Sequence, residues 1–152
     1  MENYTLLSHH LVPQLSDYLS ETEERLSTVL DFMEVQLTNA VAKQAQNPIG
    51  FAVISRQLSE GIFFKIETEN IALTELAIVG DKIMGRMLPG KKSGMVQAVM
   101  SHSKFRISTS TFLIGVVVSC FVQHLREQIE AKNWDDATLR EHLTEMYQLE
   151  HA

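Results

Sequence analysis

The most apolar stretch of the chain is FLIGVVVSCFV, residues 112–122. Ser108 stands before it in the position of an N-cap residue, and helical spacing continues to about Lys132, so we predict one long helix over 108–132. This stretch of 11 residues, which Gly115, Ser119 and Cys120 interrupt, is too short to cross a bilayer as a helix, which takes about 20 residues. We therefore expect a buried central helix and no transmembrane segment. Its inward positions are predicted to be Phe112, Val116, Phe121, Leu125 and Ile129.

A second long helix is predicted earlier in the chain. Ser20 and Glu23 match the S-x-x-E capping box, and apolar residues then recur every three or four positions as far as Val41. The helix should end near Gln46, because Asn47-Pro48 is typical of the N-cap and first position of a following helix. We expect the two long helices to pack against each other with no polar cluster between them.

Shorter helices are predicted around this pair. Pro13 should kink or restart a leading helix, and Asp135 or Asp136 should cap the last one. Residues 59–68, SEGIFFKIET, have strand-like composition, but a lone strand has no partner, so we expect a loop whose aromatic side chains fill the core. The remaining helices are expected over about 48–58, 71–88 and 93–101. The predicted fold is all-α, a single-domain bundle of about six to eight helices over residues 1–152.

The order of predicted helices repeats once along the chain. A long capped helix followed by a short capped helix occupies residues 20–58, and the same order recurs over 108–146. Residues 80–107 would then link the two units. This pattern indicates a duplicated long-helix, short-helix unit.

Charge is distributed unevenly along the chain. The net charge is -6, yet residues 82–106 hold six basic residues and no acidic one, so the ends of the chain are strongly acidic. The overall charge argues against nucleic acid as a partner. We expect the basic middle and the acidic ends to attract each other, within one chain or between copies. The predicted partner-binding residues are Lys82, Arg86, Lys91, Lys92, Lys104 and Arg106.

No motif for catalysis is complete. Residues 85–93, GRMLPGKKS, miss the phosphate-binding loop by one position, because Lys92 stands where that motif needs a Ser or Thr. The one cysteine, Cys120, lies among apolar residues, which indicates an inert core thiol and excludes an internal disulfide. No serine lies in a G-x-S-x-G elbow. The sequence therefore predicts a protein that is not an enzyme.

The histidines suggest a metal site only weakly. His124 with Glu127 and His142 with Glu145 share helical faces, but dimetal bundles use the reverse order, Glu-x-x-His, with further inward glutamates. We see no such glutamates in the inner stripes of the long helices, so we predict no metal and no cofactor. The methionines of the basic middle should fill the core; the open alternative is a Met-lined groove for an acidic amphipathic helix. These methionines are Met84, Met87, Met95 and Met100, and the six histidines are His9, His10, His102, His124, His142 and His151.

The order of these features resembles a known family. AKQA at 42–45, NPIG at 47–50 and the G-x-x-I-x-G-x-x-x-x-G-K pattern at 80–91 follow the capped helix start at 20–23. This arrangement is similar to the bacterial domain-of-unknown-function family nine-three-seven, which is related to the YidB-like proteins. The resemblance implies an all-helical domain, found alone or fused to OmpA-like peptidoglycan-binding modules, with no assigned enzymatic residues. It also implies a structural role for the GKK segment.

These observations together predict a function class. We expect a non-enzymatic helical protein-protein interaction module, an adaptor or self-assembling subunit of a bacterial complex, binding a protein partner or further copies of itself. The alternative is a helical carrier that holds a small apolar molecule or lipid between the long helices. Residues 1–19 do not resemble a secretory signal, so we expect a cytoplasmic protein that an envelope-associated assembly could recruit.

Overall fold

The described part of this computed structural model, residues 9–60 and 72–151, contains seven α-helices and no strand. The all-α prediction is confirmed. Most of the predicted aromatic loop, from residue 61 onward, lies outside the described residues, and the duplication of 20–58 and 108–146 stays a prediction. The helices are α1 (Val12–Leu19), α2 (Glu23–Ala45), α3 (Pro48–Glu60), α4 (Leu73–Met87), α5 (Lys92–Ser103), α6 (Ile107–Lys132) and α7 (Asp136–His151).

Helix α6 is the centre of the bundle. Every residue from Leu113 to Gln123 is buried, and helices α2, α3, α4 and α5 pack against α6, as expected for a helix that is apolar around its whole circumference. Within the described residues α6 is the one helix long and apolar enough to span a membrane, but 67% of its most apolar window is buried in the bundle. The buried helix predicted for residues 112–122 is confirmed.

The closest helix pair is α4 with α6. A Cβ atom added to Gly80 would lie 1.6 Å from the carbonyl oxygen of Gly115, and one added to Gly115 would lie 2.3 Å from the carbonyl oxygen of Ala77. Ser119 Oγ then donates a hydrogen bond of 2.7 Å to the carbonyl oxygen of Leu76. The two backbones are therefore in direct contact, which only glycines at the crossing allow.

The two long helices contact each other, as predicted, but neither makes its largest contact with the other. Helix α2 packs most extensively on α7, and α6 packs most extensively on α4. The reason lies in the small residues, since Gly80 and Gly115 let α4 approach α6 more closely than a helix with larger side chains could.

Two predicted helix starts are confirmed. Asn47 Oδ1 accepts hydrogen bonds from the backbone N–H groups of Ile49, at 2.8 Å, and Gly50, at 3.2 Å. Asp135 Oδ1 accepts one from the N–H of Thr138 at 2.9 Å, and this bond lowers the pKa of the Asp135 carboxyl group. Both side chains satisfy amides that have no partner within their helix, which is why short polar residues stand at these positions.

Two other predicted caps are wrong. Ser20 adopts a left-handed conformation with φ 56° that ends α1, whereas an N-cap needs extended backbone. Thr22 caps α2 instead, because its Oγ1 accepts a hydrogen bond of 3.1 Å from the N–H of Arg25. Ser108 lies inside α6, which begins at Ile107 without a side-chain cap.

Long side chains hold the ends of several helices together. Arg140 of α7 donates from Nε to the carbonyl oxygen of Ala45 at 3.0 Å and from Nη2 to that of Gln46 at 2.8 Å, at the C-terminus of α2. Gln44 Nε2 donates to the carbonyl oxygen of Met87, at the end of α4, at 2.7 Å. Terminal carbonyls that lack partners in their own helix are thus satisfied from other helices.

Candidate functional site

The six predicted binding residues fall into two groups separated by α5. Helix α5 has 12 residues and so is about 18 Å long. The first group consists of Lys82 and Arg86 of α4 with Lys91 and Lys92 at the start of α5. The second group consists of Lys104 and Arg106, just after the end of α5. The basic middle therefore does not form a single patch.

Most of these residues are exposed and have no ion-pair partner within residues 9–60 and 72–151. Lys92 is the exception, since its Nζ pairs with Asp81 Oδ1, an acid that stands one residue before the basic stretch. The other five are exposed and form no ion pair with any residue that the structure describes. Their charges therefore face solvent.

The outer side of α4 combines charge with exposed apolar surface. Ile78 is 57% exposed, and Lys82 and Arg86 follow it at spacings of four residues, which places all three on one side of the helix. Gly85 lies on the same side, and a Cβ atom added to it would have no neighbour within 4 Å. Glu75, exposed in the first turn, lies on this side too. We call these residues, Glu75, Ile78, Lys82, Gly85 and Arg86, the α4 face.

The second basic group lies beside the acidic start of α2. The Arg25 guanidinium lies 4.5 Å over the ring of Phe105 and donates a hydrogen bond of 3.1 Å to the carbonyl oxygen of Ser103. It also pairs with Glu21 Oε1 at 2.8 Å. Lys104 and Arg106 are therefore near the first turn of α2, which carries two glutamates, although no ion pair joins the two groups among the described residues.

A cluster of three potential metal ligands forms where the chain before α1 meets α2. His9 Nε2 lies 2.9 Å from Asp31 Oδ1 and 3.7 Å from Glu34 Oε1. The side chains of His9, Asp31 and Glu34 are 30%, 68% and 3% exposed, so the cluster opens to solvent on the Asp31 side. We call these three residues the His9 cluster. It is the one such group among the residues that the structure describes.

This cluster corrects one sequence inference. We expected no glutamate in the inner stripes of the long helices, but Glu34 is buried on α2. A single acid between Met33 and Val35 is hard to recognise in an apolar stripe. The available signal was the spacing of Asp31 and Glu34, which places two carboxylates on one face of a helix.

The histidines that were predicted to share faces with glutamates do not join such a group. The ring of His142 packs against Trp134 at 4.6 Å between centroids, and Glu127 accepts a hydrogen bond of 3.1 Å from Gln123 Nε2. The ring of His102 stacks on Phe32 at 4.0 Å.

Cys120 is buried, and its thiol has low reactivity. Burial, and then the negative charge of Glu34, raise the pKa of its thiol to about 12. The thiolate is the reactive form of cysteine, so a thiol with this pKa is a poor nucleophile at neutral pH. Cys120 therefore behaves as the inert core residue that its apolar neighbours predict.

The near-miss for a phosphate-binding loop is a turn between two helices. Gly85 belongs to α4, Gly90 takes the turn with φ 80°, and Lys92 begins α5. A phosphate-binding loop instead joins a buried strand to a helix. The local geometry thus agrees with a structural role for the GKK segment.

The structure differs from two further predictions, the methionine-lined groove and the ligand cavity between the long helices. Met84, Met87 and Met95 are buried in the core and do not line a groove. A hollow of about 300 Å³ lies between α3, the end of α6 and the start of α7, so α2 contributes nothing to it and it does not lie between the two long helices. Its apolar lining consists of Leu58, Ile129, Trp134 and Leu139.

No family model matches the chain, and comparison with curated proteins and with solved structures found no match either. The similarity to family nine-three-seven therefore stays a prediction.

Proposed function

We propose that the protein is a non-enzymatic helical interaction module that assembles with a second copy of itself through the α4 face. The observation that carries this proposal is the arrangement of that face, which is acidic at one end, apolar in the middle and basic at the other end. Such a surface is complementary to itself when the two helices run in opposite directions, as they do in a dimer whose two-fold axis is perpendicular to α4.

Antiparallel pairing of two α4 faces brings specific residues together. Glu75 of each copy would meet Arg86 of the other, and the exposed Ile78 would lie over Gly85, which leaves open space for it. Each new ion pair would contribute about 0.2–1 kcal/mol, and burying the isoleucine up to about 3 kcal/mol. Symmetry doubles both contributions.

The contact should be weak and sensitive to salt. A helix of 15 residues is about 22 Å long, and a stable interface usually buries about 800 Å² on each partner, which one helix face does not supply alone. Charges separated by about 10 Å are largely screened at 0.1 M salt. We therefore expect a reversible dimer whose dissociation constant rises with ionic strength.

Sedimentation velocity over a range of protein and salt concentrations tests the proposal. Arg86→Glu should place like charges opposite Glu75 and abolish the dimer, and the double variant Glu75→Lys/Arg86→Glu should restore it. Ile78→Glu should also abolish it. The matched control is Ile49→Glu, because Ile49 is also an exposed isoleucine, 78% against 57% for Ile78, but lies on α3.

A monomer at all concentrations and salts would overturn self-association through α4, as would a double variant that fails to regain the dimer. Capture of an acidic helical protein by the wild type and not by Arg86→Glu would instead favour the adaptor role.

A carrier role is a second candidate because the hollow beside Trp134 has an apolar lining. Its volume lies at the lower end of the range for small-molecule sites, about 300–1,000 Å³. Native mass spectrometry of the purified protein should then show a bound molecule that Leu139→Trp displaces. If both proteins show only the mass of the chain without a bound molecule, the carrier role is wrong.

A further inference from the structure

We propose that the His9 cluster binds a divalent transition-metal ion of the zinc class through His9 Nε2, Asp31 and Glu34. This inference is independent of the α4 face, since the cluster lies on α2 and on the residues before α1. No sequence motif predicted a metal ion here, and the proposed dimer does not need one.

The spacing of the ligand atoms fits a metal ion. The three atoms all lie within 4.8 Å of one another, and two of the distances, both from His9 Nε2, are 2.9 Å and 3.7 Å. Ligands held at about 2.1 Å from zinc are about 3.4 Å apart in a tetrahedron. The shorter distance is a hydrogen bond between His9 Nε2 and Asp31 Oδ1, which zinc would replace. His9 would bind the ion as a neutral imidazole, and small side-chain rotations would bring the three atoms to the tetrahedral spacing.

The charges of the cluster also favour a cation. Two carboxylates face one imidazole, and even a protonated imidazole would leave the group with a net negative charge. Glu34 is almost wholly buried, and a cation beside its carboxylate would be screened by water less than one at the protein surface. A divalent ion at the centre would balance both acids at once.

The donor set indicates the class of metal. One imidazole nitrogen with two carboxylate oxygens suits zinc and similar ions, whereas calcium and magnesium prefer ligand sets made only of oxygen. The three ligands that the structure brings together are His9, Asp31 and Glu34. Water would complete the coordination from the open Asp31 side, as at zinc sites with three protein ligands.

The site joins two parts of the chain that are 22 residues apart or more. His9 precedes α1, whereas Asp31 and Glu34 share one face of α2. Metal binding should therefore hold the residues before α1 against α2 and raise the unfolding temperature, because a ligand that binds only the folded state stabilises it.

Zinc titration of the untagged protein tests the proposal by calorimetry, with a zinc chelator in competition. The wild type should bind one ion per chain, and His9→Ala and Asp31→Asn should each weaken binding at least tenfold. Asp31→Asn is the safer variant because this side chain is largely exposed. His10→Ala is the matched control, since His10 is the exposed neighbour of His9 and lies outside the cluster.

A second readout separates binding from changes in folding. Zinc should raise the unfolding temperature of the wild type and of His10→Ala, but not that of Asp31→Asn. The proposal is wrong if the wild type binds no stoichiometric zinc, if His10→Ala loses as much affinity as His9→Ala, or if calcium binds here more tightly than zinc.

Discussion

The two sides of α4 differ in chemistry and in how closely other parts of the chain pack against them. The inner side carries Gly80 and Ala77, which meet the backbone of α6 directly, whereas the outer side carries an exposed isoleucine, two cations and an open glycine. The inner side is fixed by steric contact within the chain, and nothing in the described residues covers the outer side. Substitutions on one side should therefore affect folding, and those on the other should affect association.

The largest expected effect is on the inner side. Gly115→Val would drive a side chain into the carbonyl of Ala77, and neither backbone can move without separating α4 from α6. We expect the free energy of unfolding to fall by about 3 kcal/mol or more, measured by urea denaturation. Gly94→Ala on α5 is the control, because no atom lies near its added Cβ. Equal stability of Gly115→Val and the wild type would contradict the close crossing.

A smaller effect should follow from the hydrogen bond beside the crossing. Ser119→Ala removes the donor to the carbonyl of Leu76, and we expect a loss of about 1 kcal/mol in the same denaturation experiment. Ser108→Ala provides the comparison, since Ser108 is an exposed serine on the same helix. A loss in both variants of the same size would show that the buried bond is not the cause.

The smallest expected effect on stability lies on the outer side and has the opposite sign. Gly85→Ala should raise the free energy of unfolding by about 0.5–1 kcal/mol, because alanine favours a helix and the site has room for it. The same methyl group would fill the space proposed for Ile78 of a second copy, so the dimer should weaken. Stabilisation with unchanged association would argue against the pairing of Ile78 with Gly85.

The sequence was sufficient for features that depend on neighbouring residues. The apolar run at 112–122 made α6 recognisable as a buried helix, and Asn47 and Asp135 marked helix starts because their side chains bond to amides only a few positions away. The prediction that Ser20 caps α2 was wrong although it used the same kind of local pattern. Ser20 and Thr22 are both residue types that cap helices well, and only the backbone angle at Ser20 distinguishes them.

Features that join distant parts of the chain could not be predicted. Gly80 and Gly115 each permit a close approach, but neither residue indicates which helix approaches it. Glu34 alone in an apolar stripe gave no sign of His9, and the two basic groups appeared as one because α5 between them was not counted as a spacer. These are properties of packing, which one-dimensional spacing does not contain.

The bonds from Arg140 to Ala45 and Gln46 have a consequence for synthesis. They span about 95 residues of sequence, so the C-terminal end of α2 lacks these partners until α7 has left the ribosome. Helix α2 also packs most extensively on α7. The bundle should therefore reach its native state only after translation of α7, and nascent chains that stop before Arg140 should be sensitive to protease.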